Sequence, residues 1–486
     1  MATQSVRIGW RPYVNLSITA SSLWNSIYSV YNADVVGSSS LKTSLVSVYN
    51  GESNTNDSKG MNNGTAQGGL TYTTGKIGNA FSFNGSNAYV KLTTDTMKFA
   101  GDFSISAWCY FSGASANTQT IFSNLTYDGT YGYGYYLYYM NNTLTFQINN
   151  SLPFASGGNV QLNYGVNIFN GWHLVTVTRK SSTGTKMYLN GNLVANNTST
   201  YNPNYHSNMI PSIGSTDYGT TYNGLVNYYS NSGTKIDALN IWTKELTASE
   251  VSELYNSGNG AQYIGDNFYK PTTSDALNTY NGTAVGGLTY GLGKVGTSFV
   301  FNGTNSYVSL PNNTFKFTGN FSVSLWFYCK TSSNVQTLIN GYDYTGSASG
   351  GWILVVFGTG NFLDFQTYIN TQATSKSRYQ VGFNTSAYNN QWVHITLTRV
   401  SSTSTKIYIN GTEASGSFIK GSVADNPTYL TNCYSEIGGD FVTSGGLINP
   451  CDNGTKIDAV NVWQKELTAS EITELYNSGN GKQYPN

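Results

Sequence analysis

Apolar and polar positions alternate along much of the chain with a period of two. Phe103, Ile105 and Ala107 alternate with Ser104, Ser106 and Trp108, and Val175 and Val177 alternate with Thr176 and Thr178. Successive side chains of a strand point to opposite faces, so these segments predict sheets with one face in a core. Asn190-Gly191 and Asn410-Gly411 sit between apolar runs. Both central residues of a type I′ turn need positive φ, which Asn and Gly adopt at least cost, so each pair predicts a hairpin. The period changes to that of a helix once in each half of the chain. Thr247-Ala-Ser-Glu250 is a capping box ahead of the apolar stripe Val251, Leu254 and Tyr255, closed by Gly258. Thr468, Glu471, Ile472, Leu475, Tyr476 and Gly479 repeat the device. Many short strands joined by tight turns, with one short helix, predict a sandwich or jelly roll.

The pattern occurs twice. Residues 64–92 read GTAQGGLTYTTGKIGNAFSFNGSNAYVKL, and 282–310 read GTAVGGLTYGLGKVGTSFVFNGTNSYVSL. GWHLVTVTRKSSTGTKMYLNG (171–191) answers QWVHITLTRVSSTSTKIYING (391–411). GTKIDALNIWTKELTASEVSELYNSGNG (233–260) answers GTKIDAVNVWQKELTASEITELYNSGNG (454–481). The offset drifts only from 218 (282 − 64) to 221 (454 − 233), so the repeating unit is a whole domain and not a short-period solenoid. The expected fold is all-β: two tandem antiparallel β-sandwich jelly rolls, each with one short helix, plus a short N-terminal segment. The expected division is 1–44 for anchoring or oligomerisation, 45–263 for the first sandwich and 264–486 for the second. The first 44 residues hold Trp10, Tyr13, Trp24, Tyr28 and Tyr31, and Leu23, Ile27 and Val30 fit one face of a short helix. Too small for a core of its own, this segment must pack on a sandwich, oligomerise or dock on a partner.

Composition narrows the partners. Of 486 residues only 10% are charged, with 24 Lys+Arg against 24 Asp+Glu. Nucleic acid and anionic membrane both need clustered positive charge, so neither is expected as a partner. Met1 to Trp10 shows no apolar segment ahead of a cleavage site, so no secretory leader is expected. The longest apolar stretch, Trp352 to Phe357, is too short to cross a bilayer. Cys109, Cys329, Cys433 and Cys451 form no C-x-x-C pair and are expected as buried free thiols, with Cys433 and Cys451 able to pair across a loop if the surroundings oxidise.

IDALNIWTKELTASEVSELY (236–255), with GKIGNAFSFNGSNAYV (75–90), FSISAW (103–108) and the YLNG turn, resembles the concanavalin A-like lectin/glucanase superfamily, in particular its laminin G-like and pentraxin-like branch. The resemblance covers both copies. It implies a two-sheet jelly roll whose rim loops or concave face take ligands. It also implies a loop Asp that holds calcium together with backbone carbonyls. The family's histidine lies two residues after a Trp, as His394 does after Trp392, whereas His173 follows Trp172 directly. A role shared by both histidines is therefore not expected, and packing or a surface position is.

Candidate chemistry is sparse. The glucanases of this superfamily carry E-x-D-x-E on one strand, which is absent here, and three histidines leave little for a triad or a zinc site. No enzyme is expected. Asp57 and Asp275, at the unchanged 218 offset, suit calcium with Asn87 and Asn305 adding carbonyl oxygens; the alternative is that both aspartates form Asx-turns. Asp237 and Asp458 are expected to accept backbone N–H bonds. Tyrosine faces stack on sugar rings, which singles out Tyr136 and Tyr138 of the run YGYGYYLYY, with the loop residues Tyr127, Asp128, Tyr218, Tyr222, Tyr342, Asp343 and Tyr344. In copy two the matching run GGWILVVF (350–357) reads as a core strand.

The reading that fits a weakly charged, Tyr/Gly/Asn-rich β-protein is a non-enzymatic structural protein of a bacteriophage virion: a head fibre, capsid decoration or tail-associated component. It would be homo-oligomeric and surface-displayed, with capsid or other virion proteins as partners and glycans of a host surface as weak ligands. A secreted, extracellular carbohydrate-binding adhesin is the alternative, and a degenerate glycoside hydrolase the second.

Overall fold

Each copy closes into two antiparallel sheets packed face to face. The computed structural model describes residues 22–113, 117–127, 131–153, 160–216, 229–369, 376–443 and 445–484. In the first sandwich one sheet runs in the order Asn192–Asn197, Gly184–Leu189, Trp172–Lys180, Phe103–Tyr110, Lys235–Trp242, Asn79–Ser82 and Thr71–Thr74, with Leu45–Tyr49 also paired to Lys235–Trp242. The other runs Val160–Gly165, Thr143–Pro153, Tyr131–Met140, Gln119–Tyr127, Ser212–Ile213, Tyr89–Lys91 and Thr65–Gln67. The second sandwich repeats both sheets, with Ser349–Phe357 and Phe362–Tyr368 in the places of Tyr131–Met140 and Thr143–Pro153. Two tandem all-β sandwiches, each with one capped helix at Ala248–Tyr255 and Ala469–Tyr476, are as expected. Asn190 and Asn410 both sit at φ +51, followed by Gly191 and Gly411 at +81 and +78, as the hairpin turns require.

The two faces of the helix-side sheet do different work. Phe103, Ile105 and Ala107 enter the main core with Tyr135, Leu137 and Tyr139 of the opposite sheet. The other face carries Trp108 and Trp242, which pack under Val251 and Leu254 of the helix. Trp463, Ile472 and Leu475 repeat this in the second sandwich. The helix stripe read from the sequence therefore covers the outer face of one sheet. The outward side chains of the opposite sheet in the first sandwich are largely buried as well, among them Thr120, Leu125, Tyr136, Thr145 and Gln147.

Residues 22–36 do not stand outside both copies, and no helix forms over Leu23, Ile27 and Val30. After a short turn at Ser22–Trp24, Ile27–Tyr31 is a strand of the second sandwich, antiparallel to Lys456–Trp463. It occupies the place that Leu45–Tyr49 holds beside Lys235–Trp242 in the first. The contacts match pair for pair. Trp463 Nε1 donates to Leu23 O (2.8 Å) as Trp242 Nε1 does to Leu41 O (2.7 Å). Tyr31 Oη donates to Tyr280 O (2.9 Å) as Tyr49 Oη does to Asn62 O (2.7 Å). The sequence carries the signal: SLWNSIYSVYNAD (22–34) and SLKTSLVSVYNGE (40–52) are the same strand at an offset of 18. Two first strands thus precede two sandwich bodies, and the first sandwich lies between the second sandwich's first strand and its remainder. Asp34–Val36 then joins Asn267–Pro271 and Gln262–Ile264 in a three-stranded sheet at the junction of the copies. Residues 1–21 lie outside the described residues.

Candidate functional site

Asp57 and Asp275 are superposable and buried, at 3% and 1% exposure. Asp57 Oδ1 accepts from the N–H groups of Val48 (2.8 Å) and Lys59 (2.9 Å), and Oδ2 from Met61 (3.3 Å) and Asn62 (3.0 Å). Asp275 does the same with Val30, Leu277, Thr279 and Tyr280, at 2.8 to 3.3 Å. Four N–H groups converge on each carboxylate, which is the arrangement of the Asx-turn alternative. Asn87 and Asn305 are exposed and accept from Asn84 Nδ2 and Asn302 Nδ2 within their own turns, both at 2.9 Å. Asp237 Oδ2 accepts from Lys76 and Ile77, and Asp458 Oδ2 from Lys294 and Val295, as expected. Burial raises both carboxyls well above the ordinary range. Among the described residues no three His, Cys, Asp or Glu side chains gather to hold a metal. All four cysteines are buried and unpaired. His394 is packed between Trp326 and Tyr476, with Nε2 2.8 Å from Ser324 Oγ, and burial lowers its pKa to about 3.

The tyrosine run of the first sandwich divides between the two faces of its strand. Tyr135 and Tyr139 point into the core, while Tyr136 and Tyr138 point out and stack on each other with centroids 4.4 Å apart and planes at 27°. Tyr127 packs at the edge of this cluster with Leu125. Thr120 Oγ1 lies 2.8 Å from Tyr136 Oη. Cross-strand registry sets Thr145 and Gln147 beside the pair, and Gln161 and Asn163 beyond them, both exposed. Thr145 Oγ1 donates to Asn163 Oδ1 (3.0 Å). The face is thus aromatic at the centre and amide and hydroxyl at the rim. Asp128, Tyr218 and Tyr222 lie outside the described residues.

In the second sandwich the same registers hold Ile353 and Val355, and GGWILVVF is a buried strand as expected: Trp352, Leu354 and Val356 face the main core, while Ile353 and Val355 are buried on the other face with Tyr342, Tyr368 and Val442. Ile353 and Val355 floor a cavity of about 230 Å³, walled by Tyr342 and Tyr368, whose rings lie 4.5 Å apart at 40°. Gln366, Lys376, Asp440 and Asn449 supply its polar edge. Tyr344 packs at the rim with Oη donating to Gly346 O (2.8 Å). Asp343 is instead buried and accepts from the backbone N–H (3.2 Å) and Oγ1 (3.0 Å) of Thr443. Tyr368, Gln366 and Lys376 were not singled out from the sequence. The available signal was the all-apolar run 352–357, which marks a strand covered on both faces.

The chain belongs to the concanavalin A-like lectin/glucanases superfamily, whose laminin G model matches residues 84–252 and 302–473. No curated protein matches the chain. Among solved structures it is similar to domain 4 of AbnA, an extracellular arabinanase from Geobacillus stearothermophilus in complex with arabinotriose, at 19% identity over 43% of this chain and 97% of that one, with a TM-score of 0.33. It is also similar to the binding domain of botulinum neurotoxin DC in complex with SialylT, at 12% identity over 90% and 98% of the two chains, with a TM-score of 0.37. The binding domain of Paraclostridial Mosquitocidal Protein 1 gives 16% identity, 82% and 92% coverage and a TM-score of 0.37. No helix among the described residues is long and apolar enough to cross a membrane.

Proposed function

We propose that the chain is a non-enzymatic carbohydrate-binding protein that uses the sheet opposite the helix in each sandwich for glycans. The observation that carries this reading is the stacked pair Tyr136 and Tyr138, of which Tyr138 is partly exposed, with the buried Thr120, Thr145 and Gln147 beside it and the exposed Gln161 and Asn163 at the rim. Sugars offer apolar C–H faces and a hydroxyl perimeter, and this surface offers the complement of both. Those seven side chains include no carboxylate, so the face lacks the acid and base that glycoside hydrolysis needs. In the second sandwich Asp364 is committed to Arg378, whose Nε lies 2.7 Å from Oδ2.

A glycan array followed by titration of a bound oligosaccharide tests the reading. Tyr138→Ala should weaken binding roughly tenfold, the ~1.4 kcal/mol of one aromatic contact. No binding anywhere on the array, or reducing ends released from a bound polysaccharide, overturns it; the latter would favour a hydrolase. The weakly charged composition and the tandem domains support the finer reading of a bacteriophage virion component that displays these faces to a host surface. Residues 1–21 are then the segment left for attachment, and many copies on one particle would multiply weak contacts. Immunolabelling of purified particles tests that placement, and unlabelled particles would leave the extracellular adhesin.

A further inference from the structure

We infer that the cavity of the second sandwich is a subsite for a single sugar ring bearing a carboxylate, a specificity the first sandwich lacks. This rests on the carbohydrate reading above. The volume of about 230 Å³ equals roughly eight waters at ~30 Å³ each, the bulk of one substituted ring. Its surface is two-sided. Ile353, Val355 and the Tyr342–Tyr368 pair form an apolar floor and wall, while Gln366, Lys376, Asp440 and Asn449 line the rest. The hairpin of Asp440–Val442 and Gly446–Ile448 closes one side, contributing Asp440 and Ile448 to the lining.

The charge decides the ligand. Lys376 Nζ donates to Gln366 Oε1 (2.9 Å) and sits 5.5 Å over the Tyr368 ring, but among the described residues it has no salt bridge. The nearby carboxylate, Asp364, is held by the Arg378 guanidinium and by Gln366 Nε2 (3.0 Å). Burial and the positive charges of Arg378 and Lys420 lower the Lys376 pKa against the opposing charge of Asp364, so an arriving anion would add to that partial compensation. Asp440 is fully buried, and its Oδ1 has no hydrogen-bond partner. Burial and the nearby charge of Asp343 raise its carboxyl well above the ordinary range, and in its neutral form that carboxyl donates to a ligand oxygen. A single ammonium at the cavity edge suits a singly charged carboxylate better than a phosphate, which carries nearly two charges.

The fold does not demand this set. The pairs Ser212↔Ser123 and Ile213↔Phe122 in the first sandwich correspond to Glu436↔Asn340 and Ile437↔Ile339 in the second. By the same registry Thr216 stands where Asp440 does and Leu125 where Tyr342 does. A sandwich of this design therefore closes without the acid or the tyrosine wall.

Calorimetric titration of the full-length protein with trigalacturonate and with its neutral galactose counterpart tests the inference. The acidic trisaccharide should bind at least about tenfold more tightly at low salt. Lys376→Met should abolish that preference, Lys376→Arg should retain part of it, and Tyr138→Ala should leave the ratio unchanged. Equal affinity for the two sugars, or a preference that survives Lys376→Met, overturns the subsite while leaving the carbohydrate reading intact. If neither trisaccharide binds, the subsite is overturned; if the whole array is blank as well, the carbohydrate reading falls with it.

Discussion

Single side chains in this protein are positioned by the backbone as often as by one another. At Asp57 and Asp275 four N–H groups converge on one carboxylate. Replacing either Asp by Ala strands buried donors, each worth about 1–3 kcal/mol, so either substitution should cost roughly 2–4 kcal/mol in urea denaturation. Millimolar calcium should leave the melting temperature of the native protein unchanged; an upward shift lost in Asp57→Ala plus Asp275→Ala would restore a cation to that site. His394 carries a pH dependence with a definite sign. Its folded pKa of about 3 lies below the ordinary 6.5, so the unfolded chain takes up the proton first as pH falls. The stability it permits is complete above pH 6.5 and declines by about 1.4 kcal/mol per unit below it. Asp34, raised by burial to about 7, and the buried Asp237 and Asp458 act in the opposite direction, because their folded forms retain protons that the unfolded chain has released. The measurable quantity is therefore a difference: the stability of the native protein minus that of His394→Gln should fall by roughly 2–3 kcal/mol between pH 7 and 4.5. A difference that does not vary with pH contradicts the buried, neutral imidazole.

Strands show where sequence reasoning succeeds and where it stops. Period-two alternation, Asn-Gly turns and capping boxes are local signals, and the elements they mark all form. The division of YGYGYYLYY into core and outward tyrosines follows from alternation alone. What escapes is pairing between distant segments. Tyr368 and Lys376 reach Tyr342 only through the registry of Val335–Tyr344, Ser349–Phe357, Phe362–Tyr368 and Lys376–Gly382, which no local pattern states. Asp57 and Asp275 were visible as equivalents, but the N–H groups that give them their role are not written in side-chain identities. The first strand of the second sandwich was obscured because the 18-residue repeat SVYN to SVYN lies beside a far longer one. Its consequence is testable. Leu23, Val30, Tyr31 and Ala33 are completely buried. At about 1.5–3 kcal/mol for each of the large ones, their loss consumes most of a typical 5–15 kcal/mol margin. Removal of residues 1–21 should leave the melting profile intact, whereas removal of residues 1–36 should unfold the second sandwich or drive it to borrow a strand from another chain. A 1–36 deletion that melts like the full-length protein would show the strand to be dispensable.

For the whole molecule, this connectivity changes what the junction between the copies means. Two sandwiches joined end to end would separate when the chain is cut between them. Here the exposed tip Gly265–Asp266 lies between Gln262–Ile264 and Asn267–Pro271, and these strands pair with each other and with Asp34–Val36. A cut at the tip leaves Ile27–Tyr31 covalently part of the first fragment and inserted in a sheet of the second. Ser22 Oγ still reaches Glu471 Oε1 (2.9 Å), and Asp275 still accepts from Val30 (2.8 Å). Gly78 N–H also donates to Tyr290 O across the copies (3.3 Å). The nicked protein should therefore elute from gel filtration at the mass of the intact chain and resolve into two fragments only in denaturant. The fragment from residue 266 onward, expressed alone, should fail to fold cooperatively and should recover on addition of a peptide spanning residues 22–36. Separation of the nicked halves under native conditions would show that the donated strand does not hold them together. If they stay together, the two proposed binding faces are held in a fixed relation by the donated strand and the three-stranded junction sheet, not by a flexible linker. A second glycan contact then gains only when the spacing of the sugars matches that relation, which makes the pair of sandwiches selective for ligand spacing as well as for ligand identity.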